Sequence, residues 1–301
     1  MTAASEKELN ATLAFAYDFM DRREFPQAIK ALLKCLSWSK TLYGEGSALV
    51  LGIERRLGDC YYRMQSYPEA VEHLKPVYER RLRYKSTMPE KVVTVATNYG
   101  VSLASLGRHN EAIPVLTIAL ELCSAHYGAD SNPAWYMRNR LSISLRAAEQ
   151  WQQLIALHQT LNHKIDLNEG NNRQFMLTIL RNIAAGYYRT GAAEEALKLL
   201  FQALQMTKEH SSLASSEALD DLEFAARVLL KLWRHDEATM LLEKAVELSG
   251  SMYGDQSGRC KTLLLQLDAV NKTIARRRAH QARVAEQATG KALTDTAVAV
   301  Y

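Results

Sequence analysis

Six short segments of this chain hold one 42-residue register, and that register constrains the fold more than any other feature. An alanine recurs as Ala28 in FPQAIKALL, Ala70 in YPEAVEHLK, Ala112 in HNEAIPVLT, Ala196 in AEEALKLLF and Ala238 in HDEATMLLE. The intervals are 42, 42, 84 and 42, and the missing member is Leu154 in WQQLIALHQ. A spacing kept without net insertion or deletion through six units is the signature of a stacked repeat array.

The residues around each anchor say what is stacked. Twelve positions earlier stands a small residue: Ala16, Gly58, Gly100, Ser142, Ala184 or Ala226. Nine positions earlier stands a large one: Phe19, Tyr61, Leu103, Leu145, Tyr187 or Leu229. Four after it come Leu32, Leu74, Leu116, His158, Leu200 and Leu242, and seven after it Cys35, Val77, Ala119, Leu161, Ala203 and Ala245. Spacings of three, four and seven lie on one stripe of a helix. The small residues let two helix backbones approach and the large ones fill the adjoining groove. Each unit is therefore expected to be a helix, a short turn and an antiparallel second helix. Pro26 and Pro68 fall where a second helix begins, and Gly107 and Gly191 just past a first helix. Tyr43-Gly44, Tyr127-Gly128 and Tyr253-Gly254 punctuate the units, with Pro89 and Pro133 opening the next helices. Pro76 and Pro114 fall inside second helices, where a bend or an early-turn placement is expected. No stretch alternates like a strand, so the class is all-α.

Composition sets the bounds. At 301 residues, 48% apolar and 23% charged, with only 6 prolines, the chain is neither disordered nor collagen-like. Of the formal net charge of +4, the segment from Gln256 onward carries 8 basic and 3 acidic residues, which leaves the body nearly neutral. Three segments are expected: a six-unit helical repeat domain over 1–255, a capping and basic helix over 256–289, and a mobile tail over 290–301. Leu263, Leu267, Val270 and Ile274 form the stripe that would cap the sixth pair. The four cysteines, Cys35, Cys60, Cys123 and Cys260, contain no CxxC pair, so packed thiols are expected. MTAASEKELN carries no basic targeting pattern, and no apolar run reaches the ~18 residues of a membrane span. The expectation is a cytoplasmic protein.

The order of small, large aromatic and again small residues resembles the tetratricopeptide repeat family. The 42-residue period and the linker HYGADSNPAW look like the longer repeat of kinesin light chains. The resemblance covers about residues 8–254 and implies a right-handed solenoid of six antiparallel helix pairs with a C-terminal capping helix. It also implies a protein- or peptide-binding groove lined by first helices. The groove positions are Arg55, Arg56 and Tyr62 in the second unit, Asn98 in the third, and Asn139, Arg140 and Arg146 in the fourth. The fifth supplies Arg181, Asn182 and Tyr188 and the sixth Arg227. Of these, Asn98 and Asn182 align with the groove asparagines of the kinesin-light-chain type, as the resemblance implies. Arginine and asparagine donate in fixed planar geometry to carboxylates and peptide carbonyls, so an acidic segment is the expected partner. A chaperone-type carboxylate clamp is not expected, because its asparagine position is filled by Tyr17, Asp59, Val101, Ile143 or Ala185.

Nothing in the chain proposes catalysis or a cofactor. Its eight histidines show no metal-ligand spacing, the close pair His158 and His163 included. Phosphate-binding glycine motifs do not occur, and Ser211, Ser212, Ser215 and Ser216 read as an inter-repeat loop. The run Arg276-Arg277-Arg278 spans three helix faces, so only part of it can meet one ligand. A non-catalytic adaptor or scaffold is the favoured expectation. A structural subunit using its convex face and basic C-terminal helix is the alternative. A nucleic-acid-binding regulator stands third, since aromatic interleaving is absent from 256–300.

Overall fold

A computed structural model describes residues 3–85, 87–159, 172–210 and 215–298, and side chains over 6–85, 87–157, 172–209 and 215–284. Leu161, His163, Ser211, Ser212 and the side chain of His158 lie outside them. The chain forms two compact units, Met1–Asn182 and Ile183–Tyr301. Their division falls within a helix and not at a repeat boundary. In a repeat array contacts are with neighbours only, so a repeat boundary is not marked by sparser packing.

The first unit contains α1 (Ala3–Asp21), α2 (Phe25–Tyr43), α3 (Ala48–Arg63), α4 (Tyr67–Leu82), α5 (Pro89–Ser105), α6 (His109–Tyr127), α7 (Asn132–Ala147), α8 (Trp151–Gln159) and the start of α9 (Asn172–Thr190). Each of α1 to α7 packs on the next, and α3, α5 and α7 also touch in turn. The second unit holds the rest of α9, then α10 (Ala193–His210), α11 (Ser216–Lys231), α12 (His235–Tyr253) and α13 (Gly258–Val298). Among the described residues every regular element is helical.

The register fixes the packing. The five anchor alanines and Leu154 are fully buried, as are Leu32, Leu74, Leu116 and Leu200; each such leucine contributes about 2 kcal/mol of burial. Gly58 lies against Leu74, and a Cβ at Gly100 would come within 2.8 Å of Leu116 Cδ2. Serine hydroxyls cap first helices: Ser47 accepts from Val50 N at 3.3 Å, Ser131 from Ala134 N at 3.4 Å and Ser215 from Ala218 N at 3.1 Å. Each cap satisfies a backbone donor that the first helical turn leaves without a partner and contributes ~1 kcal/mol. Pro76 lies inside α4 and Pro114 inside α6.

The turns within the hairpins share one backbone conformation. Gly107 and Gly191 have φ of 73° and 93°, but the equivalent Arg23, Gln65, Glu149 and Trp233 also have φ of 55° to 61°. All six repeats therefore place a left-handed residue at the same register position, four of them at a cost a glycine would not bear.

In the second unit Leu263 and Val270 are buried against Leu219, Leu222, Ala226, Leu242 and Ala245, with Leu267 and Ile274 partly buried beside them. Beyond Ile274 the described side chains of α13 are exposed. The helix itself continues to Val298, across the boundary expected at 289/290.

One buried ion cluster joins α2, α3 and α4. His73 Nδ1 donates to Glu54 Oε2 at 2.5 Å, Lys40 Nζ lies 3.2 Å from Glu54 Oε1, and the His73 ring stacks on Tyr61 at 5.5 Å. Burial pushes the Glu54 carboxyl up, but the hydrogen bonds and charges of His73 and Lys40 outweigh it and hold the group below its ordinary range. A lowered folded pKa gives stability that is present above the unfolded value, ~4.3, and is lost as pH falls through the folded value. Acid unfolding followed by circular dichroism is therefore expected to be steeper below about pH 4.5 in the parent than in Glu54→Gln. At pH 7 that variant is expected to be less stable by about 2 kcal/mol. Equal stability of the two proteins at both pH values would remove the cluster from the account.

The four cysteines are free and buried. Burial pushes the Cys35, Cys60 and Cys123 thiols up to about 11, which leaves them protonated and unreactive at neutral pH.

Candidate functional site

The first helices of the first unit bring three of the eleven expected groove residues together around one cavity. Arg55, Tyr62 and Asn98 come together, with Asp59, Arg63 and Thr94, around an open cavity of about 370 Å³ between α3 and α5. Helical spacing explains the α3 set, since 55, 59, 62 and 63 recur at intervals of three and four. Asp59 is the centre of the arrangement. Arg55 Nη1 donates to its Oδ2 at 2.7 Å and Asn98 Nδ2 to its Oδ1 at 3.0 Å. Arg63 and Arg81 also act on it electrostatically, and Arg81 is anchored by donating to the Lys91 carbonyl at 2.8 Å. Burial nevertheless pushes the Asp59 carboxyl above its ordinary range, against Arg55, Asn98, Arg63 and Arg81. Arg55 and Arg63 line the cavity with a single carboxylate, Asp59, so its lining carries a positive excess.

The surface extends towards α7 through aromatic side chains. Tyr62 is half-buried, packs against Tyr67 and is hydrogen-bonded to Tyr136 of α7. Burial first, and then that hydrogen bond, push its phenol well up. Arg140 lies over the Tyr136 ring at 5.0 Å, and its Nε is buried without a hydrogen-bond partner. On the α1 side, Arg56 lies over Tyr17 at 4.2 Å and donates weakly to the Gly52 carbonyl at 3.4 Å.

Other expected groove residues are engaged within the fold. Asn182 is only 2% exposed; its Nδ2 donates to Ser142 Oγ at 3.0 Å and its Oδ1 accepts from Arg146 Nη1 at 3.0 Å. Asn139 is 8% exposed, with Oδ1 unsatisfied by any protein group. Arg181 is half-buried on α9. In the second unit, Tyr188 meets Phe224 edge-on at 5.5 Å and lies under Lys231 at 4.5 Å. Arg227 is exposed and lines a separate cavity of about 250 Å³ beside α13. Arg276, Arg277 and Arg278 are exposed on α13, where Arg278 reaches Asp236 at 3.1 Å.

Asp59, Arg63, Arg81 and Tyr136 escape a reading of the sequence that scans only the equivalent groove positions. Asp59 and Arg55 carry a detectable signal, an acid one turn from a base on the same face. Arg81 carries none, because it belongs to a second helix whose end happens to meet α5. Among the described residues no three His, Cys, Asp or Glu side chains are grouped to hold a metal, and no helix is long and apolar enough to cross a membrane.

The profile of the tetratricopeptide repeat matches residues 176–213. A crystal structure of putative kinesin light chain nearly identical TPR-like repeats from Podosopora anserina is 17% identical, with a TM-score of 0.53 over 69% of this chain and 97% of that one. The crystal structure of BtubC (BKLC) from P. vanneervenii is 13% identical, with a TM-score of 0.52 over 86% of this chain and 95% of that one. No curated protein matches the sequence. At such identities the likeness shows the fold, an all-helical repeat of the tetratricopeptide type.

Proposed function

We propose, from a chain that carries a tetratricopeptide repeat within an all-helical repeat fold, that this protein is a non-catalytic scaffold that holds an acidic protein segment across α3, α5 and α7. The fold is one that generally serves protein–protein interaction and typically carries no catalysis. One observation carries the finer reading: Arg55 and Asn98 both donate to the Asp59 carboxylate beside an open cavity that Arg63 also lines. The planar Arg55 guanidinium, positioned by Asp59, recognises carboxylates in a fixed geometry. Tyr62, Tyr136 and Arg140 supply flat, rigid contact area next to it. Asn98 positions Asp59, Arg146 is held by Asn182, and Asn139 is proposed to contribute its unsatisfied amide oxygen. Within the first unit, Arg56 and Arg181 are proposed as further contacts on its first helices; in the second unit, Tyr188 and Arg227 are proposed as contacts of their own.

A fluorescent hexaglutamate peptide followed by anisotropy tests the reading. Arg55→Glu and Arg140→Glu are each expected to weaken its binding by on the order of tenfold and to flatten its salt dependence. Unchanged affinity and salt slope in both variants would move the binding surface elsewhere.

A second reading rests on the exposed Arg276, Arg277 and Arg278, which lie past the packed stripe of α13. In an embedded structural subunit, removing residues 276–301 abolishes incorporation into its assembly, whereas a groove-binding scaffold keeps its partner. Steep salt-dependent retention of bulk RNA in a filter assay would instead favour a nucleic-acid-binding protein.

A further inference from the structure

The acid at the centre of the cavity has a consequence for which anions the cavity accepts. Asp59 already occupies the donors that a partner's acid would use: Arg55 at 2.7 Å and Asn98 at 3.0 Å. A partner carboxylate entering beside it brings two carboxylates onto one set of guanidinium groups. Like charges at that distance do not both stay ionised in a half-buried site, and the pair is relieved by sharing one proton. We infer that Asp59 is a specificity-determining residue of the groove, selecting an acid group that can share a proton with it, a carboxyl, over a fully ionised anion of equal charge. Binding then takes up as much as one proton from solvent, which ends in a hydrogen bond between Asp59 and the partner's carboxyl; no covalent bond changes.

The surroundings favour this. Arg55, Tyr62 and Arg63 from α3 and Thr94 and Asn98 from α5 line the cavity with Asp59; Arg81 from α4 acts on it electrostatically, and the buried Cys60 thiol is beside it in sequence. Of these, the acid itself is the group that gains a proton most readily, since burial already raises its carboxyl pKa despite three arginines. The sign follows: with the folded pKa raised, the ionised form is the disfavoured one, and falling pH relieves it. The inference rests on the groove reading above.

Two peptides of equal length and charge provide the test, hexaglutamate and its homocysteic acid counterpart, whose sulfonates hold no proton. Titration calorimetry at pH 8 and pH 5.5, in two buffers of different ionisation enthalpy, reads affinity and proton uptake together. The parent is expected to bind hexaglutamate about tenfold more tightly at pH 5.5 than at pH 8, with net uptake, and to disfavour the sulfonate. Asp59→Asn, which keeps an acceptor for Asn98, is expected to bind both peptides alike, tightly and independently of pH. Asp59→Ser removes the carboxyl with a smaller side chain and is expected to behave the same way. Thermal unfolding of each variant confirms that it is folded. An unaltered pH slope and peptide preference in both folded variants would overturn the inference while leaving the groove in place. If neither peptide binds the parent and Arg55→Glu changes nothing, the groove reading and this inference fall together.

Discussion

Trp135→Ala is expected to cost about 4 kcal/mol, the largest loss of any single truncation in the first unit. Trp135 is the largest side chain with no solvent exposure. Its ring lies on α7 with the Arg138 guanidinium over it at 4.8 Å, and Arg138 is itself buried and donates to the Ala129 carbonyl at 3.3 Å. Truncation leaves a cavity and strips one face from a charge that has few other partners, and the two losses add. Trp135→Phe keeps most of the volume and removes the indole N–H, which has no protein acceptor; it is expected to lose less than half as much. Urea unfolding measures both. A functional effect accompanies the first: Tyr136 is the next residue, so an α7 that settles into the cavity draws Tyr136 away from Tyr62. Loss of less than 1 kcal/mol for the alanine variant would mean that α7 repacks without it.

Gly58→Val is expected to destabilise by about 3 kcal/mol, at the upper end for an overpacked core site. A side chain at Gly58 collides with the fully buried Leu74 of α4, so the two helices have to separate. Gly58 also immediately precedes Asp59. Moving α3 outward lengthens the 3.0 Å bond from Asn98 and carries Arg55, Tyr62 and Arg63 away from α5, so hexaglutamate binding is expected to fall along with stability. Gly58→Val paired with Leu74→Ala makes the space and is expected to recover part of both losses. A failure to recover either would locate the strain in the α3 backbone and not in the helix contact.

The contrast between these sites and the rest of the groove shows what a sequence makes legible. Gly58 and Leu74 meet within one repeat, and their spacing along two helices already encodes the contact. The αL residues Arg23, Gln65, Glu149 and Trp233 are not legible, since nothing in those side chains asks for positive φ; the two flanking helices impose it. Asn182 reads as a groove donor from its register, yet Ser142 and Arg146 of the preceding repeat enclose it. Tyr62 and Tyr136 are two repeats apart, and their hydrogen bond depends on how successive first helices are offset. Asp59 reads as an ordinary helix acid until α5 brings Asn98 to it. Periodicity reveals nearest-neighbour packing, and a binding surface is assembled from what lies beyond nearest neighbours.

The recurrence of a left-handed residue at 23, 65, 107, 149, 191 and 233 sets a rule for how such a chain tolerates change in length. Duplicating or excising a block of 42 residues returns every hinge to a position already built for it. Adding or deleting one residue within a helix instead turns everything after it by about 100°. The buried alanines then point to water and the hinge lands on a residue that was helical. Whole repeats are therefore the natural currency of growth and loss for this chain, and single-residue slips inside a helix are excluded by the same geometry that lets the hairpins stack.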